Sequence, residues 1–540
     1  MKIFALSAIL YNSLLVGTNY KVRKLLIKVV PKRFIVLILL AFGPAALAAD
    51  RPNIVIILAD DAGFSDLGCF GGEIETPNLD SLAAKGLRFT EFYNSARCWP
   101  SRAALMTGSY DNYLNKNRIT IPQVLKTTGY KTAMVGKWHL GGKSFDPNGP
   151  NAPMNRGFDD FYGTLHGAGS YYDPMTLTRN RKSMEPDHES FYYTDKIGEE
   201  AVRQIKALAK AEQPFFQYIA FTAPHWPIHA PEKTIQKYIK RYEGGWEKLR
   251  KDRYTRMLKM GIIDEKRFPL PPMEPNVKPW DKVDHKPWRI RNMAVYAAMV
   301  DHMDQAIGRV IDALKSSEQF DNTFIFYCHD NGACSEVLHG NGWGTADNIL
   351  AKVKQQGKKL AVGNVNSVPM GGPLTYGSVG PNWACTQNTP MRRYKKNVHN
   401  GGACTPAIMH WPVGLKAEPG SISRQRGHVV DLMATCLELA GAKYPETLNG
   451  IPLKPHASLS LVPAIVGKDL PRDHAYFFDH GGTHALVIGN YKLVREPNSP
   501  WELYNLSENR TETKNIVREH PEVVSELSKL WKRWSTKKLN

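Results

Sequence analysis

Four stretches of this chain are apolar without the alternation of a half-buried strand: residues 53–59, 131–135, 214–221 and 323–327. Runs of that length and continuity suit strands buried on both faces, as in a parallel sheet covered by helices on either side. Each run is followed within a few residues by polar side chains: Asp60 and Asp61, Lys137 and His139, His225, and Asp330 with Asn331. Open α/β sheets bind ligands just beyond the carboxyl ends of their strands. The pattern therefore gathers these side chains at one edge of one sheet.

Between the runs, apolar residues at three- and four-residue intervals predict helices over 194–210 and 292–314. A further helix, 77–85, begins at Pro77 and stops before Gly86, and another covers 429–439. His302, on the 292–314 helix, reads as a surface or packing histidine. Short strand-like runs at 475–478, 485–488, 491–494 and 501–504 precede an amphipathic helix at 521–534. A chain of 540 residues exceeds what one core usually supports. The expected plan is α/β, with a large, mostly parallel sheet flanked by helices in residues 49–468 and a small antiparallel α+β subdomain in 469–540. Residues 233–291 and 340–388 fit no sheet pattern; segments of that length in compact domains are usually functional, and the first is expected to lie over the substrate face.

Basic residues at 21–33, an apolar run from Phe34 to Phe42 and Ala46-Leu47-Ala48 follow the order of a secretory signal. The run is too short, and too soon interrupted by Pro44, for a stable membrane span. The expectation is a signal peptide over 1–48 and an exported protein, periplasmic or secreted. The formal net charge is +19, and the first 48 residues carry seven basic and no acidic side chains, leaving +12 for the remainder. That excess suits polyanionic partners such as sulfated glycans. Residues 233–259 alone hold ten basic and three acidic side chains, and Lys248, Arg250 and Lys251 are candidates for steering such substrates. Nothing resembles a nucleic-acid-binding module. Of seven cysteines, six besides Cys98 could pair in an oxidising compartment, in any of 15 connectivities.

The densest motif is Cys98-Trp99-Pro100-Ser101-Arg102, followed by Ala103-Ala104-Leu105-Met106-Thr107-Gly108. Pro100 can sit in the first turn of a helix, which leaves residue 98 at the positive helix end where an anion is stabilised, with Arg102 one turn on. The motif resembles the type I sulfatase signature C-x-P-S-R-x-x-L-x-T-G. Three further segments carry the resemblance: Gly136-Lys137-Trp138-His139-Leu140-Gly141, Ala223-Pro224-His225-Trp226-Pro227, and Met391-Arg392-Arg393-Tyr394-Lys395-Lys396. It extends over nearly the whole chain after the leader and is closest to the bacterial arylsulfatase branch of the alkaline-phosphatase-like superfamily.

The resemblance implies that Cys98 is oxidised after translation, by a formylglycine-generating partner enzyme, to an aldehyde that hydrates to a geminal diol. One hydroxyl attacks sulfur, and deprotonation of the other expels sulfate by C–O cleavage, an exit that a Ser or Cys ester lacks. It also implies a divalent cation held by Asp60, Asp61, Asp330, Asn331 and the modified residue 98; oxygen donors of this kind favour Ca²⁺, with Mg²⁺ as the alternative. Asp330 would accept the attacking hydroxyl's proton, His139 would drive sulfate elimination, and His225 with Lys395 would serve the departing alcohol. Arg102 and Lys137 would stabilise charge. Lys395 is preferred to Lys396 because the family lysine stands five positions before E-G-G, here Asn400-Gly401-Gly402. His329 replaces the family's Ser, and Asn400 replaces its Glu; the change at Asn400 puts local orientation or substrate preference in doubt. The expected substrate is a sulfate monoester, aryl or carbohydrate. Two alternatives stand: a phosphonate monoester or phosphodiester hydrolase of the same superfamily, and a non-catalytic protein that binds sulfated glycans.

Overall fold

The computed structural model describes residues 51–142, 145–187 and 190–539. The leader expected over 1–48 lies outside them. Pro52–Asn540 forms one compact unit. No helix among the described residues is long and apolar enough to cross a membrane.

The central sheet has ten strands: β1 (Asn53–Ala59), β2 (Leu87–Tyr93), β3 (Lys131–Lys137), β4 (Asp160–Thr164), β5 (Leu177–Arg179), β6 (Lys182–Ser183), β7 (Phe215–Ala220), β8 (Thr323–His329), β9 (Cys404–His410) and β10 (Ser421–His428). Their order across the sheet is β10-β2-β9-β8-β1-β7-β3-β4-β5-β6. From β8 to β4 the neighbours are parallel; β9 runs antiparallel to both β8 and β2, and β4-β5-β6 closes one edge antiparallel. All four of the apolar runs are therefore adjacent central strands, in the order β8-β1-β7-β3.

Every residue of β1 is buried, and successive side chains divide between two cores. Val55 and Ile57 face helices α3 (Tyr193–Leu208) and α4 (Lys286–Ser316), while Ile54, Ile56 and Leu58 face α2 (Cys98–Thr107) and α5 (Leu432–Ala440), with α1 (Pro77–Lys85) on the α4 side. This is the period of two in a strand wedged between helical layers. Each buried aliphatic side chain contributes roughly 1.5–3 kcal/mol, so the central strands anchor whatever their ends carry. Helix α4 starts six residues before the predicted 292, at Lys286, where Pro287 occupies the first turn.

The sequence reading does not anticipate β2, β4, β5, β6, β9 or β10. Strand β9 contains Pro406, and its ladder with β2 slips between Thr405 and Ala407, the bulge that a residue without N–H demands. In β2, Arg88 and Glu91 interrupt the apolar pattern, yet Arg88 donates to the Cys69 and Gly420 carbonyls and Glu91 meets Arg510 at 3.1 Å.

The C-terminal region matches its expectation: β11 (Tyr476–His480), β12 (Thr483–Ile488), β13 (Tyr491–Arg495) and β14 (Glu502–Asn505) form an antiparallel sheet. Leu486, Leu493 and Leu503 pack beneath Leu527 and Trp531 of α6 (Pro521–Leu539).

Two expectations fail. All seven cysteines are buried free thiols, so no disulfide framework exists among the described residues. They lie on separate elements, with Cys328 in β8, Cys404 in β9 and Cys436 in α5, and burial of each as a small apolar side chain is what places it. Residues 233–291 do not cover the strand ends either. They fold into helices Glu232–Tyr238 and Gly245–Lys259, and the second inserts Arg253 between Asp66 and Glu73. Arg250 is buried and donates to the Pro271 carbonyl, while Lys248 pairs with Asp252 on the surface.

Candidate active site

The carboxyl ends of β1, β3, β7 and β8 and the N-terminus of α2 converge. Backbone bonds tie the exits together: Asp60 N–H donates to Ala223 O at 3.0 Å and Asp330 N–H to Ala59 O at 3.1 Å. Gly136 makes the packing possible, because a Cβ there would stand 1.9 Å from the Ala220 carbonyl and its φ is +100°. The chain then leaves β3 with Lys137 directed inward and His139 at φ 57°.

Cys98 is the first residue of α2, whose first turn contains Pro100 and whose residues are all buried except Trp99. Arg102, one turn further, is wholly buried. Its Nε and Nη2 donate to Asp330 Oδ2 at 3.0 and 2.8 Å, Nη2 also reaches Asp60 Oδ2 at 3.2 Å, and Nη1 donates to the Lys137 carbonyl at 2.9 Å. Lys137 Nζ donates to Asp60 Oδ2. Lys395 Nζ lies 2.9 Å from Asp61 Oδ1 and 3.1 Å from His225 Nε2, and that nitrogen is 3.4 Å from Asp61 Oδ2. Asn331 Nδ2 donates to Asp61 Oδ1 at 2.6 Å. Asp60, Asp61, Arg102, Lys137, His225, Asp330, Asn331 and Lys395 thus form one buried cluster, and Cys98 and His139 line the same cleft as His225 and Lys395. Lys396 turns away from it, at φ 79°, to pair with Glu336.

Three carboxylates and three permanent cations share this volume, and their charges decide their protonation. Burial would raise Asp60, but Lys137, His225, Arg102 and Lys395 outweigh it and hold that carboxyl well below the usual range. Burial, and then the neighbouring Asp60 charge, push Asp330 up to about 7 against the pull of Arg102 and Lys137. Burial lowers His225 to about 4 despite Asp61, so its ring is neutral near pH 7. Burial, Lys137 and Arg102 likewise push His139 well down. Lys395 stays firmly protonated, because Asp61 overcomes the cost of burial.

Three buried polar atoms in the cluster have no hydrogen-bond partner: Asp60 Oδ1, Asn331 Oδ1 and His139 Nδ1. Unsatisfied buried acceptors are costly, about 1–3 kcal/mol each. Two orphaned oxygens beside the remaining carboxylates fit a hard divalent cation, which takes carboxylate and amide oxygen. Asp60, Asp61 and His225 could also converge on an ion, their donor atoms all lying within 4.8 Å of one another. His225 Nε2 already faces the Lys395 ammonium, so the oxygen set is the better one.

The cluster opens into a cleft of about 340 Å³. Its floor is Cys98, His139, His225 and Lys395, and its walls include Trp99, Trp226, Glu336 and Trp343. His166, Arg97 and Lys396 also border it. The sequence assigns none of these wall residues a role, although Trp99, Trp226 and Lys396 stand within its motifs. Trp343 lies in the Gly-rich 340–388 stretch, whose composition identifies a functional loop but no particular residue, and Glu336 is brought in by tertiary contact alone. No residue of 233–291 lines the cleft. The two departures from the family pattern face away from it. His329 bonds to the Ala62 carbonyl and the Tyr327 hydroxyl at 3.0 and 3.1 Å. Asn400 bonds to Arg510 O, Glu512 and Lys492 at 2.7–2.8 Å.

The sulfatase family model matches residues 52–442. The chain belongs to the sulfatase family. It is 34% identical to an uncharacterized sulfatase of Schizosaccharomyces pombe, covering 91% of this chain and 94% of that protein. It is 31% identical to the arylsulfatase of Klebsiella aerogenes, over 78% of this chain and 94% of the relative. An N-acetylgalactosamine-6-sulfatase of Canis lupus familiaris is 28% identical, over 85% of this chain and 74% of the relative. In fold it is similar to the crystal structure of Ps i-CgsB, with a TM-score of 0.62 at 24% identity, covering 90% of this chain and 92% of that one. The sulfatase described here is accordingly a sulfuric ester hydrolase with the alkaline-phosphatase-like fold.

Proposed function

We propose that this sulfatase hydrolyses a sulfate monoester in the cleft above Cys98, and that Asp60, Asp61, Arg102, Lys137, His139, His225, Asp330, Asn331 and Lys395 are its working residues. The observation that carries the reading is the pairing of a helix N-terminus at Cys98 with three buried cations and two partnerless oxygens in one closed cluster. Oxidised to formylglycine, Cys98 would supply a hydroxyl nucleophile for sulfur. Asp60, Asp61, Asp330 and Asn331 would hold a divalent cation, Ca²⁺ by the character of the donors, which when bound supplies Lewis-acid polarisation of the sulfate.

The remaining steps belong to side chains already in place. Asp330, whose carboxylate is oriented by the Arg102 guanidinium, can accept a proton from a hydroxyl at residue 98. Lys395 Nζ and His225 Nε2, 3.1 Å apart, converge where an ester oxygen would depart, the ammonium holding the charge and the imidazole relaying a proton. His139 presents an unpartnered Nδ1 and stays neutral through burial, as a base requires. Arg102 and Lys137 need no reorganisation, because Asp60 and Asp330 already orient them. The residues of the 1–48 segment support an exported enzyme.

Protein co-produced with a formylglycine-generating enzyme should carry an aldehyde at residue 98 by peptide mass spectrometry. Cys98→Ala and Asp330→Ala should each abolish hydrolysis of an aryl sulfate, and Asp330→Ala should also lose bound metal by elemental analysis. A fully active preparation with an unmodified thiol would overturn the nucleophile assignment. Faster turnover of an aryl phosphodiester than of an aryl sulfate would overturn the substrate assignment.

A further inference from the structure

Trp343 is the most exposed large apolar side chain among the described residues, with 60% of its surface open, and it borders the cleft. The backbone holds it there under strain. Gly340, Gly342 and Gly344 all have positive φ, and Trp343 itself sits at φ 56°. The left-handed conformation costs a non-glycine residue roughly 1–2 kcal/mol, and such strain concentrates at ligand clamps. An indole exposed at that cost, in a cleft, needs a partner to cover it.

The wall below it is continuous. The ring centroids of Trp343 and Trp226 are 5.4 Å apart with planes at 54°, and Trp226 in turn lies 4.5 Å from the His225 imidazole. Trp226 is clamped by Nε1 donating to Glu336 Oε2 at 2.9 Å, and the same carboxylate pairs with Lys396 and stands 3.8 Å from Lys395 Nζ. The outer indole is therefore registered, through two rings and one carboxylate, to His225 and Lys395. Polar groups along this wall are engaged: Glu336 as above, and Thr345 Oγ1 with Tyr376 and Gly342. What the wall offers an incoming molecule is the open face of Trp343, with the largely buried Trp226 beneath it at the cleft lining.

Resting on the assignment of His225 and Lys395 to the departing oxygen, we propose that Trp343 and Trp226 form a stacking subsite for the ring of the leaving alcohol. The shared chemistry is a six-membered ring with an apolar face, supplied either by a pyranose or by an arene. A ring whose oxygen lies at His225 meets Trp226 first and Trp343 next. Trp343 is thereby a specificity residue that touches the alcohol and not the sulfate.

The test uses Cys98→Ala protein, which binds without turnover, and titration calorimetry with three probes: inorganic sulfate, a monosulfated hexopyranoside and a monosulfated phenol. Nucleobases stacked on aromatic side chains set the scale, on the order of a tenfold change in affinity per ring. Adding Trp343→Ala should weaken at least one ring ester about tenfold while leaving inorganic sulfate unchanged, and Trp343→Phe should recover most of the loss. The ester that suffers more identifies the ring as sugar or arene. In the active enzyme the same substitution should raise KM and leave kcat within about twofold. Ring esters that bind equally well with and without the indole, while sulfate still binds, overturn the subsite alone. Failure of inorganic sulfate to bind the Cys98→Ala protein at all overturns the sulfate assignment, and the subsite with it.

Discussion

Replacing Arg102 by Met keeps most of the side-chain volume and removes four hydrogen bonds, three to carboxylates and one to the Lys137 carbonyl. Asp60 retains Lys137, so the group left exposed to the change is Asp330, whose other contact is a 3.4 Å bond from Asp61 N–H. Removing one partner of a buried ion pair costs about 3–5 kcal/mol. At about 2.1 cal/mol/K per residue, a unit the size of Pro52–Asn540 loses ~1 °C of Tm per kcal/mol, so the expected fall is about 3–5 °C. The sign with pH is distinctive. Asp330 already titrates near 7 beside Arg102, and without that cation its pKa rises further above the unfolded value of about 4. A folded-state pKa above the unfolded one favours the protonated native state, so stability falls as pH rises from about 4 through the folded pKa. The Arg102→Met deficit should therefore shrink at pH 6 and widen at pH 9. Adding Asp330→Asn, which removes the uncompensated charge, should restore part of the lost stability and flatten the pH dependence, while activity stays at background. Thermal unfolding of chelated protein across that pH range reads all of this. A deficit below about 2 °C, or an Asp330→Asn change that lowers Tm further in the Arg102→Met background, would refute the pairing argument.

His399 donates from Nδ1 to Glu496 Oε1 at 3.1 Å and from Nε2 to Glu502 Oε2 at 2.8 Å, and although burial opposes its charge, the two carboxylates raise its pKa. Its stabilising effect is complete below the unfolded value of about 6.5 and is lost as pH rises through the folded pKa; the Tm of His399→Gln should therefore decline less steeply above pH 6.5 than that of the parent, and parallel declines would disprove it. Charge reversal at Lys248 and Lys251 should leave the ionic-strength dependence of kcat/KM unchanged for multiply sulfated and monosulfated substrates alike, because that helix does not border the cleft; a flattened salt dependence would restore steering to this segment.

The parts legible in the sequence were those whose cause is local. Strands β1, β3, β7 and β8 announce themselves because burial on both faces demands unbroken apolar runs. Cys98 to Arg102 and Gly136 to Gly141 are contiguous, so their chemistry can be read without knowing the fold. Strands β2 and β9 stayed hidden because Arg88 and Glu91 are satisfied by distant partners and Pro406 by a bulge. The expected cysteine pairing rested on an even count, which says nothing about whether two Sγ atoms meet. The basic stretch 233–259 looked like a polyanion guide because composition cannot distinguish Arg250, folded inward against Pro271, from an exposed arginine. The aromatic wall is built from Trp226 and Trp343, residues 117 positions apart brought to 5.4 Å.

The C-terminal sheet meets the larger layer through an apolar seam, in which Phe478, Val487, Val494 and Tyr504 join the core around Tyr93, and ionised groups are set into that seam. Lys492 pairs with Glu512 at 2.7 Å and with Asn400, and Arg510 enters between Glu91 and the Tyr93 hydroxyl, all of them buried. Charges so placed tolerate no stranger opposite them, since an unmatched one is worth several kcal/mol. The last seventy residues are consequently not a cassette. A chimera that grafts this region onto another sulfatase must carry Glu91 and Asn400 with it.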